Sequence, residues 1–197
     1  MPSLLQDSPV RLETARLVLG LPPSTHAQAV ANFYQANASF FAPWDPPRPP
    51  DFQTEAFWAV RLPQSRRALL EDRELRLFSF DRNSKAPRVI NAMSFTNIRR
   101  GPMQACQLGY AQDEASGGRG LMQEALSAAV EYVFEELGLH RIEASYVPKN
   151  ERSGQLLRRL GFTVEGYSRD YLFVGGDWRD HVHCALTNPR PVRVPGA

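Results

Sequence analysis

A short glycine-rich loop, Gly117-Gly118-Arg119-Gly120, constrains this chain most, because it joins two segments of opposite periodicity. Before it, residues 105–112 read as a strand. After it, Leu121, Ala125, Leu126, Ala129, Val130, Val133, Phe134 and Leu137 fall on one broad helix face, and Gly138 gives the stop signal. A loop of this kind turns backbone N–H groups and the positive end of a helix dipole toward whatever lies above it, which suits a diphosphate. Taken alone, the same residues read equally well as a tight turn that starts a helix.

A second unit of the same kind follows. Residues 141–147 read as a strand stopped by Pro148, and residues 151–160 as a helix stopped by Gly161. Two such units in succession imply an α/β layout. Upstream, residues 11–19 read as one first strand closed by Pro22 and Pro23, then a helix capped by Ser24 or Thr25 runs to about residue 35. The proline-rich segment 40–50 carries Phe40, Phe41 and Trp44 and reads as a packed loop able to face a substrate. Residues 51–70 are expected to form two short helices split at Pro63, and residues 75–80 and 89–98 a hairpin. Downstream, residues 162–174 and 178–186 form another hairpin across Gly175-Gly176-Asp177, with residues 189–197 as a loose tail. The expected organisation is a single domain over residues 1–188.

Composition narrows the function. With 43% hydrophobic residues in 197, one sizeable core is available. The 23 basic and 21 acidic residues leave a net charge of +2, so no nucleic-acid or acidic membrane partner is advertised by charge. No apolar run approaches the roughly 20 residues of a membrane helix, and residues 1–10 lack a signal core, so a cytoplasmic location is expected. Cys106 and Cys184 lie far apart in strand-like segments and are expected to stay reduced.

Gly117-Gly118-Arg119-Gly120-Leu121-Met122 ahead of a long helix resembles the pyrophosphate-cradling motif of the GCN5-related N-acetyltransferases (the GNAT superfamily). The segment from Asn150 through Ser153 to Leu160-Gly161-Phe162 resembles the second block of that family. The resemblance extends to Thr14-Ala15-Arg16-Leu17, Phe41-Ala42-Pro43-Trp44-Asp45-Pro46, Ala105 to Tyr110, and Tyr167 through Trp178-Arg179-Asp180-His181. Together these are similar to the branch that acetylates the N-terminal alanine of ribosomal proteins.

The resemblance implies an α+β fold, a mixed and mostly antiparallel sheet flanked by helices, with a parallel strand pair that splays apart at residues 108–112 and 141–147. It implies acetyl-coenzyme A as cosubstrate, no metal, and direct attack by the amine, so Cys106 need not be a nucleophile. Cofactor contacts are expected from Leu108, Tyr110, Gln112, Gly117, Gly118, Arg119, Gly120, Leu121, Met122, Asn150 and Ser153. Three departures stand out. Gly117 occupies the place of an Arg or Gln, Met122 that of a small residue, and Leu157 that of a tyrosine used to protonate the leaving thiolate. Ser153 is the expected hydroxyl donor to that thiolate, and Asn150 either caps the helix or contacts the ligands, or both. Glu114, Asp170 and Asp180, acting through water, remain open as the base. Trp44, Asp45, Tyr171 and Trp178 are expected around the incoming amine. His181 and His183 face one side of a strand, but no third ligand completes a metal set. The acceptor is expected to be a protein N-terminus beginning with Ala, Ser or Thr, on a protein acting as monomer or homodimer. A small amine acceptor, or a non-catalytic acyl-coenzyme A-binding protein assisting ribosome assembly, are the alternatives.

Overall fold

The computed structural model describes residue 5 and residues 7–84, 87–190 and 192. The expected tail therefore lies largely outside the described residues. Eight strands form one sheet in the order β1-β2-β3-β4-β5-β6-β8-β7, where β1 is Arg11–Glu13, β2 Leu17–Gly20, β3 Leu75–Asp81, β4 Val89–Arg99, β5 Ala105–Gln112, β6 Arg141–Tyr146, β7 Thr163–Val174 and β8 Asp177–Thr187. Every neighbouring pair is antiparallel except β5 and β6, which run parallel because α4 (Leu121–Glu135) carries the chain across between them. The mixed, mostly antiparallel sheet with one parallel pair agrees with the fold expected from the sequence.

Strand alternation divides the core into two layers. Leu75, Leu77, Met93, Phe95, Cys106 and Leu108 point to one face, under Ala125, Leu126 and Ala129 of α4 and Leu156 and Leu157 of α5 (Glu151–Arg159). Phe78, Phe80 and Ala92 point to the other face, against α1 (Ala27–Ala36) and α3 (Glu55–Leu70). There Tyr34 stacks on Trp58 with ring centroids 5.1 Å apart. Between α1 and α3 lie the single-turn α2 (Ala38–Phe41) and the proline-rich loop.

Four expectations need correction. Residues 11–19 are not one strand but the β1–β2 hairpin, with Arg11 opposite Gly20. The turn is fixed by the Thr14 hydroxyl, which accepts from the Leu17 N–H at 2.9 Å, and by contacts to α4 described below. Neither Ser24 nor Thr25 caps α1. A 3-10 turn, Ser24–His26, precedes it, and the Thr25 hydroxyl is engaged with His26 Nδ1 at 3.1 Å. Residues 55–70 are one helix running through Pro63. Thr54 caps it by accepting from the Phe57 N–H, and Trp58, Leu62, Ser65 and Ala68 are buried along one face. Pro63 lies on the exposed face, where a missing ladder bond costs least, and burial of the opposite face offsets it. Finally α4 stops at Glu135 rather than reaching Leu137, with Gly138 at φ 62° closing the turn beyond.

Candidate active site

The parallel ladder between β5 and β6 is short. It pairs Ala105 with Arg141, Cys106 with Ile142, Gln107 with Glu143 and Leu108 with Ala144, and then ends. Both strands continue with their outer neighbours: Gly109 to Gln112 stay opposite Ser94 to Asn91 of β4, and Ser145 and Tyr146 opposite His183 and Val182 of β8. The strands therefore part beyond Leu108 and Ala144, and a cleft of about 1370 Å³ opens there, lined from both sides.

At one mouth lies the glycine loop. Gly118 and Gly120 both adopt φ 72°, a left-handed conformation that side chains with a Cβ resist. Gly120 is the N-cap of α4 and has no side-chain cap bond, which leaves the first-turn N–H groups free to face a ligand. The loop is held from behind by Arg16. Its Nη1 donates to the Arg119 carbonyl at 2.9 Å and its Nε to Glu124 at 2.6 Å. The Thr14 hydroxyl and the Arg16 N–H donate to the same carboxylate at 2.6 and 2.8 Å. Burial alone would raise the Glu124 pKa, but these donors bring it below the usual carboxylate value. Gly117, Gly118, Gly120 and Met122 line the cleft, whereas Arg119 is exposed outside the lining and Leu121 is buried in the core.

Across the cleft stands the first turn of α5. Asn150 is its N-cap, its Oδ1 accepting from the Ser153 N–H at 3.2 Å. The Ser153 hydroxyl lies 2.7 Å from the Tyr110 hydroxyl, which reaches it from β5. Burial raises the Tyr110 pKa above its ordinary value, outweighing the bond to Ser153, so the phenol stays protonated. Leu157 is buried in the core, so nothing at that position can donate to a ligand. Leu108 and Gln112 complete this wall. The turn is seated on Tyr146, whose ring lies so close over Gly154 that an added Cβ would meet it at 2.8 to 2.9 Å.

The opposite mouth opens on the other face of the sheet. Tyr146 points toward α5, so its neighbour Ser145 and the register partner His183 point away from it, as does His181 two residues earlier. The bulge between Ser168 and Leu172 in β7 sets Tyr171 over both rings, 4.6 Å from His183 and 5.3 Å from His181. His181 Nδ1 lies 3.0 Å from the Arg179 carbonyl, which can only accept, so this nitrogen donates. Trp44 and Asp45 line the same region. Burial raises the Asp45 pKa despite its pairing with Arg48. The hairpin tip locks onto this loop through the Gly175 N–H, which donates to the Asp45 carbonyl at 3.2 Å.

Three expected residues stand apart. Trp178 packs edge-on against Phe173 and is 57% exposed, outside the cleft lining. Asp180 accepts from the Tyr167 hydroxyl and, at 3.0 Å, from the Asp170 N–H, so both aspartates are tied together away from the cleft, whereas Glu114 lines it. Both cysteines are free thiols, pushed by burial to about 12 for Cys106 and about 11 for Cys184, which leaves neither as a thiolate near neutral pH. Among the described residues no group of three or more His, Cys, Asp or Glu could hold a metal ion. Arg152, absent from the expected site residues, lines the cleft beside the glycine loop. His181 and His183, expected only as a possible metal pair, line it too.

A gap between strands, an unobstructed glycine loop and a facing pair of hydroxyls together fit coenzyme A, whose diphosphate and thiol need those groups at separate points. Comparison with known proteins agrees. The model for the acetyltransferase (GNAT) domain matches residues 16–163. The chain is 42% identical to the [ribosomal protein uS5]-alanine N-acetyltransferase of Escherichia coli (strain K12) over 180 residues, 91% of this chain and 92% of that one. A crystal structure of ribosomal-protein-S5-alanine acetyltransferase from Vibrio fischeri superposes with a TM-score of 0.87 at 33% identity, covering 92% of this chain and 100% of that one. Mycobacterium smegmatis RimJ in complex with CoA-disulfide superposes with a TM-score of 0.81 at 25% identity, covering 89% and 85%. A family model that spans most of the chain, a relative matched along nearly its full length and a shared fold have one reading: the chain belongs to the GNAT family of acetyltransferases.

Proposed function

We propose that this protein moves the acetyl group of acetyl-coenzyme A directly to the N-terminal α-amine of a ribosomal protein beginning with alanine, serine or threonine, in the cytoplasm and through one domain spanning residues 1–188. The observation that carries this reading is the β5–β6 ladder that stops at Leu108 and Ala144, giving two mouths on opposite faces of the sheet. The match to alanine N-acetyltransferases supports the acceptor class.

Acetyl-coenzyme A supplies an activated thioester. Its diphosphate is received by the backbone N–H groups of residues 118–122 at the start of α4. The strand groups freed beyond Leu108 polarise the acetyl carbonyl. The acceptor amine enters past Trp44, Asp45 and Tyr171, and forms the C–N bond as the C–S bond breaks. An α-amine with pKa near 8 loses its proton at pH 7 at roughly 1 kcal/mol, against about 4.6 for lysine, so a weak base such as Glu114 acting through water is enough. The thiolate accepts from the Ser153 hydroxyl, which itself accepts from Tyr110, so that the polarised pair supplies the proton held at Ser153 Oγ.

A polyamine acceptor would call for unpaired carboxylates at the second mouth. Of the carboxylates lining the cleft, Asp45 is paired with Arg48, Asp113 with Arg88, Glu143 with Arg99 and Arg141, and Glu165 with Arg141, which leaves Glu114 and Glu151 rather than an acidic cluster. The test is mass-spectrometric: acetyl-coenzyme A is incubated with peptides beginning Ala, Ser or Thr, with their N-terminally blocked copies carrying a free lysine, and with spermidine. Transfer confined to free N-termini is expected, and transfer only to lysine or spermidine would overturn the reading.

A further inference from the structure

Gly117 stands where the family motif places an Arg or Gln, yet its backbone does not call for glycine. At φ −63° and ψ 159° it lies in the extended region open to any residue. What limits it is space. A Cβ at this position would lie 3.0 Å from the Glu114 carbonyl oxygen and 3.4 Å from Nη2 of Arg152. The volume beside the loop that a side chain on residue 117 would enter is thus already held by a guanidinium from α5.

That guanidinium is not otherwise committed. Among the described residues Arg152 has no hydrogen bond or ion pair, and its Cζ lies 5.8 Å from the Phe40 ring centroid, a cation–π contact that orients it without neutralising it. Arg16, the other arginine near the loop, is spent on Glu124 and the Arg119 carbonyl. Arg119 is exposed and is not among the residues lining the cleft, whereas Arg152 is. A cation at the start of the loop therefore survives the loss of the motif residue, delivered from a different element.

We propose that Arg152 binds the diphosphate of coenzyme A, taking over in space the charge that residue 117 lacks in sequence. The inference rests on the acetyl-coenzyme A reading above and adds a binding residue to it. The planar fork of arginine makes paired N–H donors to phosphate oxygens while the loop N–H groups hold the opposite side. It also explains why glycine at 117 is compatible with binding: a larger residue would displace the guanidinium.

The test is calorimetric titration of wild type, Arg152→Ala and Arg152→Lys with coenzyme A, with dephospho-coenzyme A, which lacks the 3′-phosphate, and with pantetheine, which lacks the diphosphate. Arg152→Ala is expected to weaken both nucleotide ligands about tenfold and leave pantetheine unchanged, with partial recovery in Arg152→Lys, the size expected for one charge-assisted contact. Equal affinity of wild type and Arg152→Ala for coenzyme A would overturn the proposal. So would an equal loss for pantetheine, which would mean that Arg152 only shapes the fold, or a loss absent with dephospho-coenzyme A, which would assign it to the 3′-phosphate. Failure of the wild type itself to bind coenzyme A would instead overturn the reading on which the proposal rests.

Discussion

The hydroxyl oxygens of Tyr110 on β5 and Ser153 on α5 lie 2.7 Å apart, joining one of the parting strands to the helix that stands at the cleft. Neither alone is a strong acid, but a phenol kept protonated by burial can donate to the serine while the serine donates onward. Ser153→Ala is expected to lower kcat by about tenfold to a hundredfold, and Tyr110→Phe by less, with coenzyme A affinity nearly unchanged. Steady-state kinetics beside titration calorimetry checks this, and an unchanged kcat in Ser153→Ala would remove the pair from the chemistry.

Gly120 is at φ 72° at the head of α4. Gly120→Val forces a β-branched residue into left-handed backbone at roughly 1–2 kcal/mol and covers the N–H groups behind it. Both a lower Tm and weaker coenzyme A binding are expected. Unaltered affinity would mean that the diphosphate is held elsewhere.

Glu124 gathers donors from Thr14 and Arg16, and its folded pKa is depressed. A carboxylate of this kind contributes stability above its unfolded pKa and loses that contribution as pH falls through the folded value. Glu124→Gln is therefore expected to be less stable than wild type by about 1 kcal/mol at pH 7, given the exposure of Arg16. The gap should close as pH falls below the ordinary carboxylate range. Melting curves from pH 7 to pH 3 decide it, and a gap constant with pH would show that the charge is not the cause.

Gly154 leaves no room for a methyl group beneath Tyr146. Gly154→Ala gains helix propensity but must push Tyr146 or the first turn of α5 aside, so lower Tm and lower kcat are expected together. A variant more stable and equally active would show that the ring yields without moving Ser153.

Tyr171 covers the second mouth with His181 and His183. Tyr171→Ala is expected to raise the KM for an acceptor peptide severalfold while the affinity for coenzyme A holds. Equal loss for both substrates would move Tyr171 out of the acceptor path.

Elements whose signals are local were legible in the sequence. The bounds of β5 and the start of α4 follow from Gln112, the glycines and a sustained apolar face, and α5 from its cap at Asn150 and stop at Gly161. The β1–β2 hairpin was not, because its turn contains neither Gly nor Pro and is held by Glu124 far along the chain. The uninterrupted α3 was not, because burial of Trp58 and Leu62 outweighs the local rule at Pro63. Within the site, the motif residues were visible. The contact between Tyr110 and Ser153 and the approach of Arg152 to Gly117 depend on how β5 and α5 face each other, which no spacing encodes.

The early end of the β5–β6 ladder gives this protein a sheet edge in its own interior. On a molecular rim, unpaired strand groups invite another chain and the hazard is aggregation. Here both strands keep their outer partners and the unpaired groups face the cleft, where a slender extended ligand bearing amides can dock as a surrogate strand. Pairing left unmade within the chain becomes affinity for such a ligand, and by mass action the fold grows more heat-resistant as that ligand's concentration rises.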